Sequence, residues 1–177
     1  MALVACVAAL AMTSCNKKDE PVNPDPQQDT KPVAAAIVFK AVFDPQTIEQ
    51  CDISFDYYDE NGNKKNEVVT TAEWTKTVQT KALPATLGFH WNVAVKAGLD
   101  ESKYDQFLVK YQFAYASYAV NAEGAAVTTK EQADFGNIMS MAIAKRDYLV
   151  ESIMNKNPLS FVHKYDAEGK VTTDDWK

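Results

Sequence analysis

The sequence has little of what most reactive sites are made from. It holds 2 histidines and 3 cysteines in 177 residues. A zinc site needs three or four converging His, Cys or acidic ligands. His90 and His163 stand far apart with no cysteine cluster between them, so neither a metal nor another cofactor is expected. The 6 glycines are scattered, and neither a Gly-rich phosphate loop nor a Gly-x-Ser-x-Gly turn is present. Cations are in deficit, with 18 Lys and Arg against 24 Asp and Glu and a net charge of -6. Sequence-independent nucleic-acid binding needs clustered cations, so a nucleic-acid partner is not expected. The remainder, 46% hydrophobic and 24% charged, is ordinary globular composition and excludes collagenous, disordered and cysteine-scaffold chains.

Residues 1–14 lack charge altogether. Ala2 to Met12 is apolar, but about half the ~20 residues a membrane-spanning helix needs. It fits the core of a secretory signal. Leu10-Ala11-Met12-Thr13-Ser14-Cys15 resembles the lipobox of bacterial lipoproteins, although Met12 stands where Leu is commonest. The resemblance implies a signal peptide over 1–14, cut before Cys15, whose sulfur then carries diacylglycerol with palmitate among its acyl chains. The positive start that such signals carry is expected upstream of Met1. Lys18-Asp19-Glu20 resembles the charged export signal of surface lipoproteins in the Bacteroidota. Asn16 in place of Asp argues against retention at the inner membrane. Together these imply an outer-membrane lipoprotein held by its lipid anchor, surface-exposed or periplasm-facing.

Residues 15–32 read as the lipidated Cys and a tether. Pro21, Pro24, Pro26 and Pro32 are four of the seven prolines, and Val22 is the only large apolar side chain between Asn16 and Pro32. Such a segment buries too little surface to offset its ordering entropy. Proline stiffens it toward ~3 Å per residue, enough to hold a domain up to ~50 Å from a bilayer.

Residues 33–177 suit a single β-rich domain. Ile37, Phe39, Ala41 and Phe43 alternate along Ala34–Phe43, and Cys51, Ile53, Phe55 and Tyr57 alternate with Asp52, Ser54, Asp56 and Tyr58. Period-2 alternation places one face in a core and the other in water. The same reading makes strands of Glu67–Thr71, Thr75–Lys81, Phe89–Lys96, Phe107–Val120 and Leu159–Tyr165, with Lys170–Thr173 returning. The fourteen residues of Phe107–Val120 exceed a usual strand, so a bend is expected near Ala114–Ser117. Asp59-Glu60-Asn61-Gly62, Asn121-Ala122-Glu123-Gly124 and Asp166-Ala167-Glu168-Gly169 share one hairpin-turn chemistry. Thr128-Thr129-Lys130-Glu131 resembles a capping box. Ile138, Ala142, Leu149 and Ile153 then form an apolar stripe beside Met139, Ile143, Val150 and Met154, which predicts an α-helix near 137–155. The expected fold is mainly β: an antiparallel sandwich, immunoglobulin- or transthyretin-like in class, with one late α-helix. A lipocalin-like barrel is the alternative.

No catalytic constellation stands out. Cys51 alternates with apolar neighbours and reads as a buried small hydrophobe, without the base that a nucleophile needs. An EF-hand frame on Gly62 would place Tyr57 and Val68 at ligand positions, which excludes a calcium loop. Asp52/Asp56 and Asp174-Asp175 are the acidic pairs, and on exposed strands such pairs serve solubility. The aromatic row Phe107, Tyr111, Phe113, Tyr115 reads as core. Trp74, Tyr58, Tyr118 and Trp176 fall off the best apolar faces and are the candidate binding residues. Trp74, expected at a loop edge between two strands, reads also, and somewhat better, as a lid folded onto the sandwich end. The sequence therefore points to a non-enzymatic envelope lipoprotein that binds a glycan or protein partner. A calycin-like carrier of a small apolar ligand is the alternative, favoured by a deep central cavity. A hydrolase would require His90 or His163 beside a carboxylate in a cleft.

Overall fold

The structure, a computed structural model, describes residues 30–128 and 131–177. The expected signal at 1–14, Cys15, Lys18, Asp19, Glu20 and the expected tether as far as residue 29 lie outside the described residues.

Alternation builds two antiparallel sheets that do not close on each other. The first has the order β4-β1-β6-β7, with β1 at Ala34–Phe43, β4 at Glu73–Gln79, β6 at Gln106–Val120 and β7 at Glu131–Ala142. The second has the order β3-β2-β5-β8-β9, with β2 at Cys51–Tyr58, β3 at Lys64–Val69, β5 at Ala85–Val95, β8 at Ser160–Tyr165 and β9 at Val171–Asp174. The sandwich expected from the sequence is thus present, and the open edges overturn the closed-barrel alternative.

Aromatic rings fill the space between the sheets. Phe39 of β1 meets Phe89 of β5 at 5.4 Å between centroids, and Phe113 of β6 meets Phe89 at 4.4 Å. Phe55 of β2 meets Trp74 of β4 at 4.4 Å. These tilted pairs add about 0.5–1.5 kcal/mol each beyond the area they bury. Of the aromatic row on β6, Phe107 and Phe113 are buried, and Tyr111 and Tyr115 are partly buried and packed against the same core.

The three Gly turns are built alike. The Asp59 carboxylate accepts from the backbone N–H of Asn61 and Asn63, both at 2.9 Å, and Gly62 takes a φ of 76°. Asp166 and Gly169 repeat this, and Asn121 with Gly124 does so with an amide oxygen. Only glycine adopts such a φ without strain.

Four expectations need correction. Residues 131–142 form β7, not the front of a helix; they pair with β6 from Ser117↔Glu131 to Gln106↔Ala142. Twelve consecutive ladder positions outweigh an apolar stripe, and Ile138, counted in that stripe, is 65% exposed. Within the expected helix 137–155, helical structure covers only 143–154, and Tyr148–Met154 is a π-helix closed by Asn155 N–H to the Val150 carbonyl at 2.9 Å. The capping-box reading also falls: Glu131 opens a strand, and Thr128 Oγ1 accepts from Ala119 N–H at 2.9 Å, while residues 129 and 130 lie outside the described residues. Finally, β6 pairs with β1 in unbroken register from Tyr111 to Val120, so the expected bend does not interrupt the ladder.

One short helix went unforeseen. Asp44 caps α1, Pro45–Gln50, accepting from Gln46 N–H at 3.0 Å, with Pro45 in the first turn. This is the usual chemistry of a helix start. Its position matters because β1 pairs with β6 only from Tyr111 onward. The unpaired stretch of β6 would leave buried backbone groups without partners. Gln50 accepts from Leu108 N–H at 2.7 Å and donates to the Gln106 carbonyl at 2.9 Å; Thr47 accepts from Lys110 N–H at 2.9 Å. Both side chains are fully buried, and they continue the ladder where β1 leaves it.

Candidate binding face on the five-stranded sheet

The outer face of the second sheet begins as a polar row. Alternation turns Ser54, Asp56 and Tyr58 of β2 away from the core, and the register sets Asp56 between Asn66 of β3 and His90 of β5. Asp56 is held by two amides, accepting from Asn66 at 2.7 Å and from Asn92 at 2.8 Å. Asn66 also donates to Ser54 Oγ at 3.1 Å. The result is a fixed array of carboxylate, amide and hydroxyl groups beside water.

Trp176 converts this row into a mixed surface. After β9 the chain crosses the face of the sheet, and the indole lies over Gly88 of β5. A Cβ built on Gly88 would stand 3.2 Å from that ring and 2.8 Å from the Phe161 carbonyl oxygen. The glycine therefore leaves the space that the tryptophan occupies. Tyr58 meets the indole at 4.9 Å, and His90 lies nearly parallel to it at 5.9 Å with 17° between planes. The Lys64 ammonium sits 4.8 Å from the indole centroid, within cation–π range, and also donates to the Lys177 carbonyl. Beside the rings runs a groove of about 820 Å³, bordered by Tyr58, Glu60, Lys81, Thr86 and the Lys164–Asp174 ion pair.

The structure thus gathers two of the four predicted binding residues, Tyr58 and Trp176, and separates the others. Trp74 is 7% exposed and belongs to β4 rather than a loop edge. Its Nε1 donates to Glu67 at 2.8 Å. Its exposure, on which the binding expectation rested, is therefore corrected to a place in the core. The Glu67 carboxyl is held below its ordinary range, first by the Lys76 ammonium at 2.7 Å, then by Trp74 and Tyr57, against an opposing burial effect. Tyr118 lies on the outer face of the other sheet, packed on Ala34, Ala36 and Val120.

The remaining reactive groups are dispersed. Burial pushes the Cys51 thiol up to about 12, and the residue is 3% exposed, so it packs as a small hydrophobe. His163 is buried on the inner face of β8, where burial lowers its pKa. His90 occupies the outer face, and its Nδ1 has no hydrogen-bond partner. The Asp56 oxygens opposite it are taken by the two amides. Among the described residues, no group of three or more His, Cys, Asp or Glu is placed to hold a metal ion.

Lys64, Asn66, Asn92 and Gly88 were not singled out from the sequence, and His90 was weighed only as a metal-binding or catalytic residue. One signal was available: a glycine inside the alternating run Ala85–Val95 marks a close approach by another group. Comparisons with protein-family models, curated proteins and solved structures found no match to this chain.

Proposed function

We propose that the protein is a non-enzymatic lipoprotein of the cell envelope, tethered through Cys15, whose domain binds a glycan on the outer face of the five-stranded sheet. One observation carries the reading: Trp176 and Tyr58 lie 4.9 Å apart beside the Asp56–Asn66–Asn92 array. Sugar rings offer apolar C–H faces that stack on flat aromatics and hydroxyls that pair with carboxylates and amides. Aromatic rings supply contact area at low side-chain entropy, which makes Trp and Tyr frequent centres of binding energy. The arrangement has both parts, and the amides are fixed before any ligand arrives. The lipid anchor and the Pro-rich spacer support a module that reaches outward from a membrane.

The test uses the Cys15→Ser chain. A lipid anchor of two or three acyl chains holds firmly at ~0.8 kcal/mol per buried CH₂, so this variant is expected to leave the membrane fraction. Retention after a salt wash would refute the anchor. The soluble variant, applied to a glycan array, is expected to bind a restricted set of glycans. Trp176→Ala in the same background is expected to abolish that binding with an unchanged melting temperature. Binding that survives the loss of Trp176 would refute the site.

A further inference from the structure

A second cavity lies away from the Trp176 face, where the π-helix Tyr148–Met154 closes one side of the sandwich. It is a crevice of about 360 Å³ between β5, β6, β7, the start of β8 and that helix. Its size falls at the lower end of small-molecule sites, roughly 300–1,000 Å³. Val93, Met139, Ile153 and Met154 supply apolar wall, and Tyr111 and Asn137 supply polar groups. None of the lining residues carries a charge.

The wall also holds an unanswered donor. Trp91 is 5% exposed, and its Nε1 has no hydrogen-bond partner. Its ring stands edge-on to Tyr111 at 4.5 Å and 80°. A buried donor without an acceptor costs about 1–3 kcal/mol, and the ring that carries this one lines the crevice. Two further features suit an adaptable pocket. Methionine side chains refit to irregular shapes, and Met139 and Met154 both line the space. π-helical turns are rare and recur at functional sites; here the wide turn places Ile153 and Met154, adjacent in sequence, on the same crevice.

We propose that this crevice binds a neutral, mostly apolar small molecule carrying an acceptor oxygen, which Trp91 Nε1 answers. Neutrality follows from the lining. A carboxylate or ammonium would be desolvated there with no opposite charge to meet it, a heavily penalised arrangement. The site differs in place and ligand chemistry from the glycan face and does not depend on it.

The probe is N-phenyl-1-naphthylamine, a neutral aromatic amine that fluoresces in apolar surroundings, titrated into the soluble Cys15→Ser chain. A saturable rise in emission is expected. 1-Octanol is expected to displace the probe at least about tenfold more effectively than octanoate, because the carboxylate finds no partner in the crevice. Ile153→Glu places a charge at the rim, where the side chain is 36% exposed, and is expected to weaken the probe at least about tenfold while the melting temperature holds. Met139→Trp, which fills the space, is expected to abolish the signal, and near-ultraviolet circular dichroism checks that its core is intact. Trp176→Ala is expected to leave probe binding unchanged. No saturable signal, equal competition by octanoate, full binding by Ile153→Glu, or loss in Trp176→Ala would each overturn the proposal.

Discussion

Trp74 lies in β4 with its ring against Phe55 and its Nε1 on Glu67, whereas Trp176 follows β9 and lies across the outside of the other sheet. Both were marked by the same sequence criterion, an aromatic off its strand's best apolar face. What separates them is what lies beneath and beside the ring. Trp74 has six-membered neighbours on both sheets and an acceptor for its only polar atom, so burial leaves nothing unpaired. Trp176 has a glycine beneath it, a histidine and a tyrosine beside it, and polar side chains around it. A large ring can therefore be half-buried on a sheet face or fully buried in the core from equivalent positions in a sequence, and the deciding feature is the partner for its N–H and the space left by its neighbours.

Removing Trp74 breaks the comparison most strongly. Trp74→Ala deletes a ring that contacts Phe39, Phe55 and Phe89, and the expected loss is ~3–5 kcal/mol of stability. Urea unfolding measures it. Glycan binding by the fraction still folded is expected to be unchanged, since the ring is on the far side of β2 from the outer face. A variant with wild-type stability would return Trp74 to the surface and restore it as a contact residue.

Gly88→Ala sharpens the same contrast from beneath Trp176. The added Cβ meets the Phe161 carbonyl at 2.8 Å and the indole at 3.2 Å. The first clash strains the β5–β8 ladder, and the second lifts the ring. Overpacking of this kind costs about 1–3 kcal/mol. The expected result is a moderate fall in melting temperature together with weaker glycan binding, although no proposed contact residue has been changed. Thermal melts and a binding isotherm on one preparation distinguish this from simple instability: full binding at a lowered melting temperature would detach Gly88 from the site.

These contrasts also show where the sequence was readable. Strands and turns were legible because each signal was local and redundant: strict alternation in β1, β2 and β5, and Asp or Asn with Gly at fixed spacing in the three turns. The segment 131–154 was not, because its apolar residues satisfy two periods. Met139 and Met141 alternate toward the core as strand residues, while Ile138, Ala142, Leu149 and Ile153 also fit a helix. Only the twelve-position pairing with β6 decides between them, and pairing is not local. The helix α1 was missed although Asp44-Pro45 announces it, since six residues are too few for an apolar stripe. At the candidate face, Tyr58 and Trp176 were identified singly. Their meeting depends on the chain crossing from β9 over β5, which no periodicity encodes. The crevice is less legible still, because it joins residues from five separate elements.

The smallest expected effect concerns the acceptor that keeps Trp74 buried. The Glu67 carboxyl is held below its ordinary range, chiefly by Lys76, with Trp74 and Tyr57 adding to it. A carboxyl lowered in the folded state stabilises the fold fully above its unfolded value of ~4.3, and that contribution is lost as pH falls through the lower, folded value. The Glu67 side chain is 37% exposed, so solvent screening keeps the ion pair at about 1 kcal/mol or less. Glu67→Gln retains an acceptor oxygen for the indole and removes only the charge. The variant is expected to be slightly less stable than the wild type at pH 7, and the difference is expected to shrink on acidification below ~4.3, where the wild-type carboxyl also becomes neutral. Urea midpoints at pH 7, 5 and 3 measure this. A difference that stays constant across the series would mean that the Lys76 charge contributes nothing and that the neutral hydrogen bond from Trp74 alone accounts for the burial of the ring.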